Sequence, residues 1–180
     1  MMKDQISDLY DKITGESRGL ENLLGKIPGL SGYMEKGKRR EADQLLRETI
    51  AARLEGSRLQ LGAVSEELSS DIIKAMDHAE ALGRADNRLM GLIGKIKDAP
   101  QGYAGFFDAV KVQEDDLARI YAFDESMLNH ADDIQASVAA LEKAVADDSD
   151  IKGAIRNLDT AVRTANDTFA SRDEVILGVN

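Results

Sequence analysis

The sequence predicts an all-α fold: an antiparallel four-helix bundle of two long helical hairpins with coiled-coil-like packing, preceded by one or two short N-terminal helices. Three observations carry this. The 180 residues hold only 2 Pro, and both fall between stretches of apolar residues spaced at three and four. There are 8 aromatics (4 Tyr, 4 Phe) and no Trp, which argues against a turn-rich sandwich or barrel. No strand pattern is found anywhere, and nothing repeats with a period of 20–50 residues as a solenoid would.

Taken in order, residues 2–14 read as a short amphipathic helix with Ile6, Leu9, Tyr10 and Ile13 on one face, stopped by Gly15. Leu20, Leu23, Leu24 and Ile27 continue as a second short helix, so that 2–27 is the N-terminal helical segment. Ile27-Pro28-Gly29-Leu30-Ser31-Gly32-Tyr33 is a cluster of helix breakers. The first hairpin spans 34–97. Its first helix runs from Met34 to about Leu68 with Leu46, Ile50, Leu54, Leu61, Val64 and Leu68 at helical spacing. At 1.5 Å per residue it is a rod of roughly 50 Å. Ser69-Ser70-Asp71 supplies N-cap chemistry for a reversal, with one unbroken helix as the alternative. The return helix uses Ile72, Met76, Ala79, Leu82, Leu89, Ile93 and Ile96. The facing pairs expected are Leu68 with Ile72, Val64 with Met76, Leu61 with Ala79, and Ser57 with Gly83 as a small layer.

Asp98-Ala99-Pro100-Gln101-Gly102 ends that helix, and Tyr103, Phe106 and Phe107 follow within five residues. The second hairpin spans 112–177. Glu114, Asp115 and Asp116 sit in its first turn, the right sign for a helix N-terminus. Leu117, Ile120, Asp124, Met127, Ala131, Ile134, Val138, Leu141 and Val145 alternate strictly in steps of three and four. After the turn at Asp147-Asp148-Ser149-Asp150, so do Ile151, Ile155, Leu158, Val162, Ala165, Phe169, Arg172 and Ile176. This is a heptad seam on both arms. Folding back at 147–150 pairs the two stripes at index sums of 296, from Val145 with Ile151 out to Ile120 with Ile176. Seven of the eight layers are apolar or small. The eighth sets Asp124 against Arg172, a structural polar layer that fixes register.

The net charge is −10, all of it in the second half: residues 1–97 carry 16 Lys/Arg and 16 Asp/Glu, residues 98–180 carry 7 and 17. A mostly acidic surface disfavours nucleic acid, which demands a basic face. With 43% hydrophobic residues the chain can bury a core, yet no apolar run reaches the roughly 20 residues of a membrane span. Cytoplasmic placement is the expectation.

Catalytic chemistry is hard to find. There is no Cys, hence neither a disulfide nor a thiolate nucleophile or ligand. A di-iron bundle needs Glu-x-x-His motifs, but Ala75 and Met127 stand three residues before His78 and His130. Asp77-His78 and His130 with Asp132 and Asp133 fall short of a metal site, and Asp147, Asp148 and Asp150 lack the Gly and Glu of a calcium loop. Gly29-Leu30-Ser31-Gly32 lacks the strand and the Lys-Ser/Thr of a phosphate loop. No catalytic residue, cofactor, metal or small-molecule substrate is expected.

The two hairpins bring both proline segments and the basic island to one end. The candidate interaction end is therefore Tyr33, Lys36, Lys38, Arg39, Arg40, Tyr103, Phe106 and Phe107, with Tyr33 near the other three aromatics. The bland alternative is a lid that plugs the bundle. The functional expectation is a non-catalytic interaction protein, a scaffold, adaptor or oligomerising module, with a protein partner or self-association through the otherwise unplaced face of 2–14. The alternative is a peripheral membrane-surface protein that meets anionic lipid through residues 2–14 and the island at 36–40.

Overall fold

In a computed structural model, which describes residues 21–35, 39–99 and 114–177, every long element is an α-helix. They are α1 (Leu30–Glu35), α2 (Arg39–Ser69), α3 (Ile72–Asp98), α4 (Glu114–Ala146), α5 (Ile151–Ala170) and α6 (Arg172–Leu177). Residues 21–26 are also helical, and no strand occurs among the described residues. The backbone contacts fall into two compact units, one of Met1–Leu46, Pro100–Ser126 and Ser171–Asn180, the other of Arg47–Ala99 and Met127–Ala170.

The second unit is a bundle of four helices arranged as two antiparallel hairpins, α2/α3 and α4/α5. The hairpins lie side by side. Arg88 pairs with Asp159 and Lys95 donates to Asn166 at 3.0 Å, the same offset along the chain in both cases, so α3 and α5 run parallel. Arg53 donates to Asp132 at 2.8 Å and joins α2 to α4.

The α4/α5 hairpin buries the seam that its heptads predict. Met127, Ala131, Ile134, Val138, Leu141 and Val145 are all buried, and so are Ile151, Ile155, Leu158, Val162, Ala165 and Phe169. His130 Nε2 lies 3.0 Å from Thr168 Oγ1 across the two helices, two residues beyond the Asn166 that the predicted register sets opposite it. The turn has a physical cause at each position. Ser149 N donates to Ala144 O at 2.9 Å and Asp148 N to Val145 O at 3.3 Å, the paired bonds of a Schellman ending. Asp148 takes the left-handed conformation this motif requires, φ 51°. Asp150 then caps α5 by accepting from Gly153 N at 2.8 Å.

The α2/α3 hairpin differs from expectation in phase. The break at 69–71 is present: Asp71 Oδ1 accepts from Ile73 N at 2.9 Å and Lys74 N at 3.2 Å, so α3 begins at Ile72. Yet Ile72, Met76, Ala79 and Gly83, expected to face α2, are exposed. The inner stripe is instead Leu82, Ala85, Leu89, Leu92 and Ile96, led in by half-buried Ala75 and His78. The cap sets where the helix starts and therefore the azimuth of every later residue. Each residue turns the helix by about 100°, so Ile72 and Met76 miss the core by about one position. Index sums near 146 align the buried residues of both arms: Ile50 with Ile96, Leu54 with Leu92, Leu61 with Ala85, Val64 with Leu82. At the far end Arg47 Nη1 donates to Ala99 O at 3.0 Å and closes the C-terminus of α3.

In the first unit, the expected breaker at 27–33 is narrower than its composition implied. Leu30 N donates to Ile27 O at 3.3 Å with Gly29 at φ 85°, a turn with Pro and Gly at the two central positions they favour. Helix resumes at once as α1. Leu23, Ile27 and Leu30 are buried, and Asn22 donates to Glu125 of α4 at 2.7 Å. The last predicted helix is also interrupted, at Ser171 between α5 and α6.

Candidate interaction surface

The predicted interaction end falls mostly outside the described residues. Lys36, Lys38, Tyr103, Phe106 and Phe107 lie outside them, as does the amphipathic segment 2–14. Tyr33 lies on α1 and Arg39 and Arg40 open α2, with their side chains outside what is described. The lid expectation and the membrane alternative both rest on these residues.

The polar layer lies within the described residues. Asp124 and Arg172 are both buried at 5% exposure. The carboxylate that Arg172 reaches is one that counting heptads does not find: its Nη2 lies 3.5 Å from Asp43 Oδ1 on α2, and Asp43 is equally buried.

A surface the sequence reading missed lies on the outside of the α2/α3 hairpin. Five large apolar side chains are exposed among the described residues: Leu59 (78%), Ile72 (77%), Ile73 (71%), Met76 (84%) and Met90 (48%). One is on α2 and four are on α3. At 100° per residue, Ile72, Met76, Ala79, Gly83 and Met90 fall on one stripe of α3, about a third of a turn from its buried stripe. Beside it runs an open groove of about 730 Å³ between the two helices. It is lined by the buried Leu61, Leu82 and Ile93, by the small residues Gly62, Ser65, Ala79 and Gly83, and by the exposed apolar Leu59 and Met90.

Charge on the groove is neutralised in place. Arg58 grips Asp86 with two hydrogen bonds, Nε to Oδ1 at 2.8 Å and Nη2 to Oδ2 at 3.0 Å. The hydrogen bond to Asp86, reinforced by its charge, raises the Arg58 pKa above the ordinary arginine value, so the guanidinium stays protonated in water. Lys97 pairs with Glu55 along the same seam. The groove therefore presents apolar walls and a satisfied ion pair.

The helices around it are rich in glycine. Gly56 and Gly62 lie inside α2, and Gly83, Gly91 and Gly94 inside α3, each with open space where a side chain would start. None is required by the chain's own packing, and each costs helix stability of roughly 0.5–1 kcal/mol against Ala. Among the described residues no group of three or more His, Asp or Glu is arranged to hold a metal ion, and no helix is long and apolar enough to cross a membrane. Comparison with protein families, curated proteins and solved structures finds no match for this chain.

Proposed function

We propose that this chain is a non-catalytic, cytoplasmic helical-bundle interaction module, a scaffold, adaptor or oligomerising unit, and that it works through the outer face of the α2/α3 hairpin. The observation that supports this reading is the segregation of exposed apolar side chains. Every exposed large apolar residue among those described is on that hairpin, and two of them, Leu59 and Met90, line the groove between its helices. Single exposed apolar residues are ordinary, but a contiguous set marks a contact surface. Placing Ile72, Ile73 and Met76 in water contributes nothing to the folded monomer, whereas covering them with a partner is favourable. Grooves of this kind accept the apolar face of a helix.

Photo-crosslinking in the native cell tests the reading. A photoreactive residue at position 59 or 76 should give protein adducts, and one at Gln135, exposed on α4, should give far fewer. Equal labelling from all three positions would remove the assignment of this face. Adducts to lipid alone, together with flotation on anionic vesicles, would favour the peripheral membrane reading instead.

A further inference from the structure

We infer that the partner of this face is a second copy of the chain, packed so that α3 of one copy crosses α3 of the other in antiparallel sense near Gly83. The inference rests on reading the α2/α3 face as an interaction surface, and adds the occupant and its orientation.

Charge selects both. Along one edge of the outward stripe of α3, roughly 80–120° around the helix from Ile72 and Met90, stand Glu80 and Arg84, one of each sign. They pair within the helix one turn apart, and both are solvent-exposed. A two-fold axis beside Gly83 exchanges them: Glu80 of one copy meets Arg84 of the other, twice over. A parallel pairing would instead set Glu80 on Glu80 and Arg84 on Arg84, which is repulsive. Asp86 and Lys97 lie nearer the centre of the stripe, but they are already held by Arg58 and Glu55. The same axis sets Ile72 and Ile73 of each copy beside Met90 of the other. Met76 then lies over the glycine and asparagine at 83 and 87. Ala79 and Gly83 fall at the crossing, where nothing lies within 4 Å of a side chain built on Gly83. The backbones can therefore approach closely.

A Leu, Ile or Met side chain carries on the order of 100 Å² of apolar surface, so the four exposed apolar side chains of α3, weighted by their exposure, offer about 280 Å² per copy and about 560 Å² for two. The smallest stable interfaces bury about 1,200 Å² in total, a little over half of it apolar, and Ala79 together with the stems of Glu80 and Arg84 supplies the remainder.

Sedimentation of the full chain tests this. The wild type should form a dimer, twice 19.6 kDa, at about 1–100 μM, the weaker range for interfaces of this class. Met76→Glu, at an exposed position, should weaken the dimer by about tenfold or more while leaving the helical circular dichroism and melting curve in place. Glu80→Arg and Arg84→Glu should each weaken it comparably by setting like charges together. Mixing those two variants should restore a dimer, because one copy then presents two cations and the other two anions. A wild type that stays monomeric at about 100 μM overturns the inference; adducts to other proteins from position 76 would still leave the interaction reading standing. A dimer indifferent to Met76→Glu, or a mixture of charge variants that stays monomeric, overturns the proposed face or its orientation.

Discussion

Arg172 and Asp43 form a buried ion pair, Nη2 to Oδ1 at 3.5 Å, between residues each only 5% exposed. Asp124, also 5% exposed, belongs to the same unit. Burying charge is costly unless it is compensated, so each member of such a set depends on the others. Arg172→Met or Asp43→Leu alone should cost roughly 3–5 kcal/mol, because each strands a charge out of water. The double variant should recover much of the loss. Urea unfolding of the four proteins checks this, and additive losses would mean that the pair is not coupled.

A second double-mutant cycle addresses the heptad count. Register pairs Asp124 with Arg172. If they share a layer, Asp124→Asn and Arg172→Met should couple by about 0.5–3 kcal/mol. A coupling near zero would detach Asp124 from the layer and leave Asp43 as the carboxylate that matters.

The two hairpins were not equally legible, for a physical reason. In α4 and α5 one stripe alternates strictly by threes and fours, and the buried residues beside it, such as Leu128 and Ala144, adjoin that stripe and form no second one. In α3 two stripes coexist. Leu82, Ala85, Leu89, Leu92 and Ile96 form one; Ile72, Met76, Ala79, Gly83 and Met90 form the other. Periodicity alone merged them, and the expected pairing of Ser57 with Gly83 followed from the merger. Ser57 is in fact buried and Gly83 faces open space. Only the cap at Asp71, together with packing against α2 and α5, chooses between the stripes. The second stripe, and the helix-interior glycines that α4 lacks, were the available signs of the groove. Asp43 could not be found by register at all, since it lies on the other hairpin from Arg172.

Core and surface stripes should respond differently to truncation. Leu158 is fully buried in the α4/α5 seam, and Leu158→Ala should cost about 2–5 kcal/mol. Met76→Ala, at an 84% exposed site, should change monomer stability by less than about 0.5 kcal/mol. Thermal melts at low protein concentration separate the two. A large loss from Met76→Ala would place that side chain in the core after all.

Asp148 is strained by its positive φ of 51°. Glycine carries no such penalty at a helix C-terminus. Asp148 also accepts from Lys74 at 2.6 Å, between exposed side chains, a contact that contributes little. Asp148→Gly should therefore stabilise the protein by about 0.5–1 kcal/mol. The hydrogen bond to Asp148 raises the Lys74 pKa above 10.5. Because the folded pKa is the higher one, that contact stabilises fully at neutral pH and is lost as pH rises through the folded value. Asp148→Gly should return Lys74 toward 10.5 by NMR titration. Its advantage over the wild type should grow in strong alkali, where the wild type loses the contact.

Gly153 and Asp150 are coupled through the start of α5. Gly153 donates its backbone N–H to the Asp150 carboxylate at 2.8 Å, and a side chain built on Gly153 would lie 2.1 Å from Asp150 Oδ2. Alanine inside a helix ordinarily gains about 1 kcal/mol over glycine. Here that gain requires the cap to move, and losing an Asp cap costs about 0.5–2 kcal/mol. Gly153→Ala in the wild type should therefore be neutral or destabilising. In an Asp150→Ala background the obstacle is gone, and the same change should stabilise by about 0.5–1 kcal/mol. The sign of Gly153→Ala thus depends on residue 150, which four melting curves can read. If Gly153→Ala stabilises both backgrounds equally, the carboxylate yields without loss and the cap contributes little to holding α5 in place.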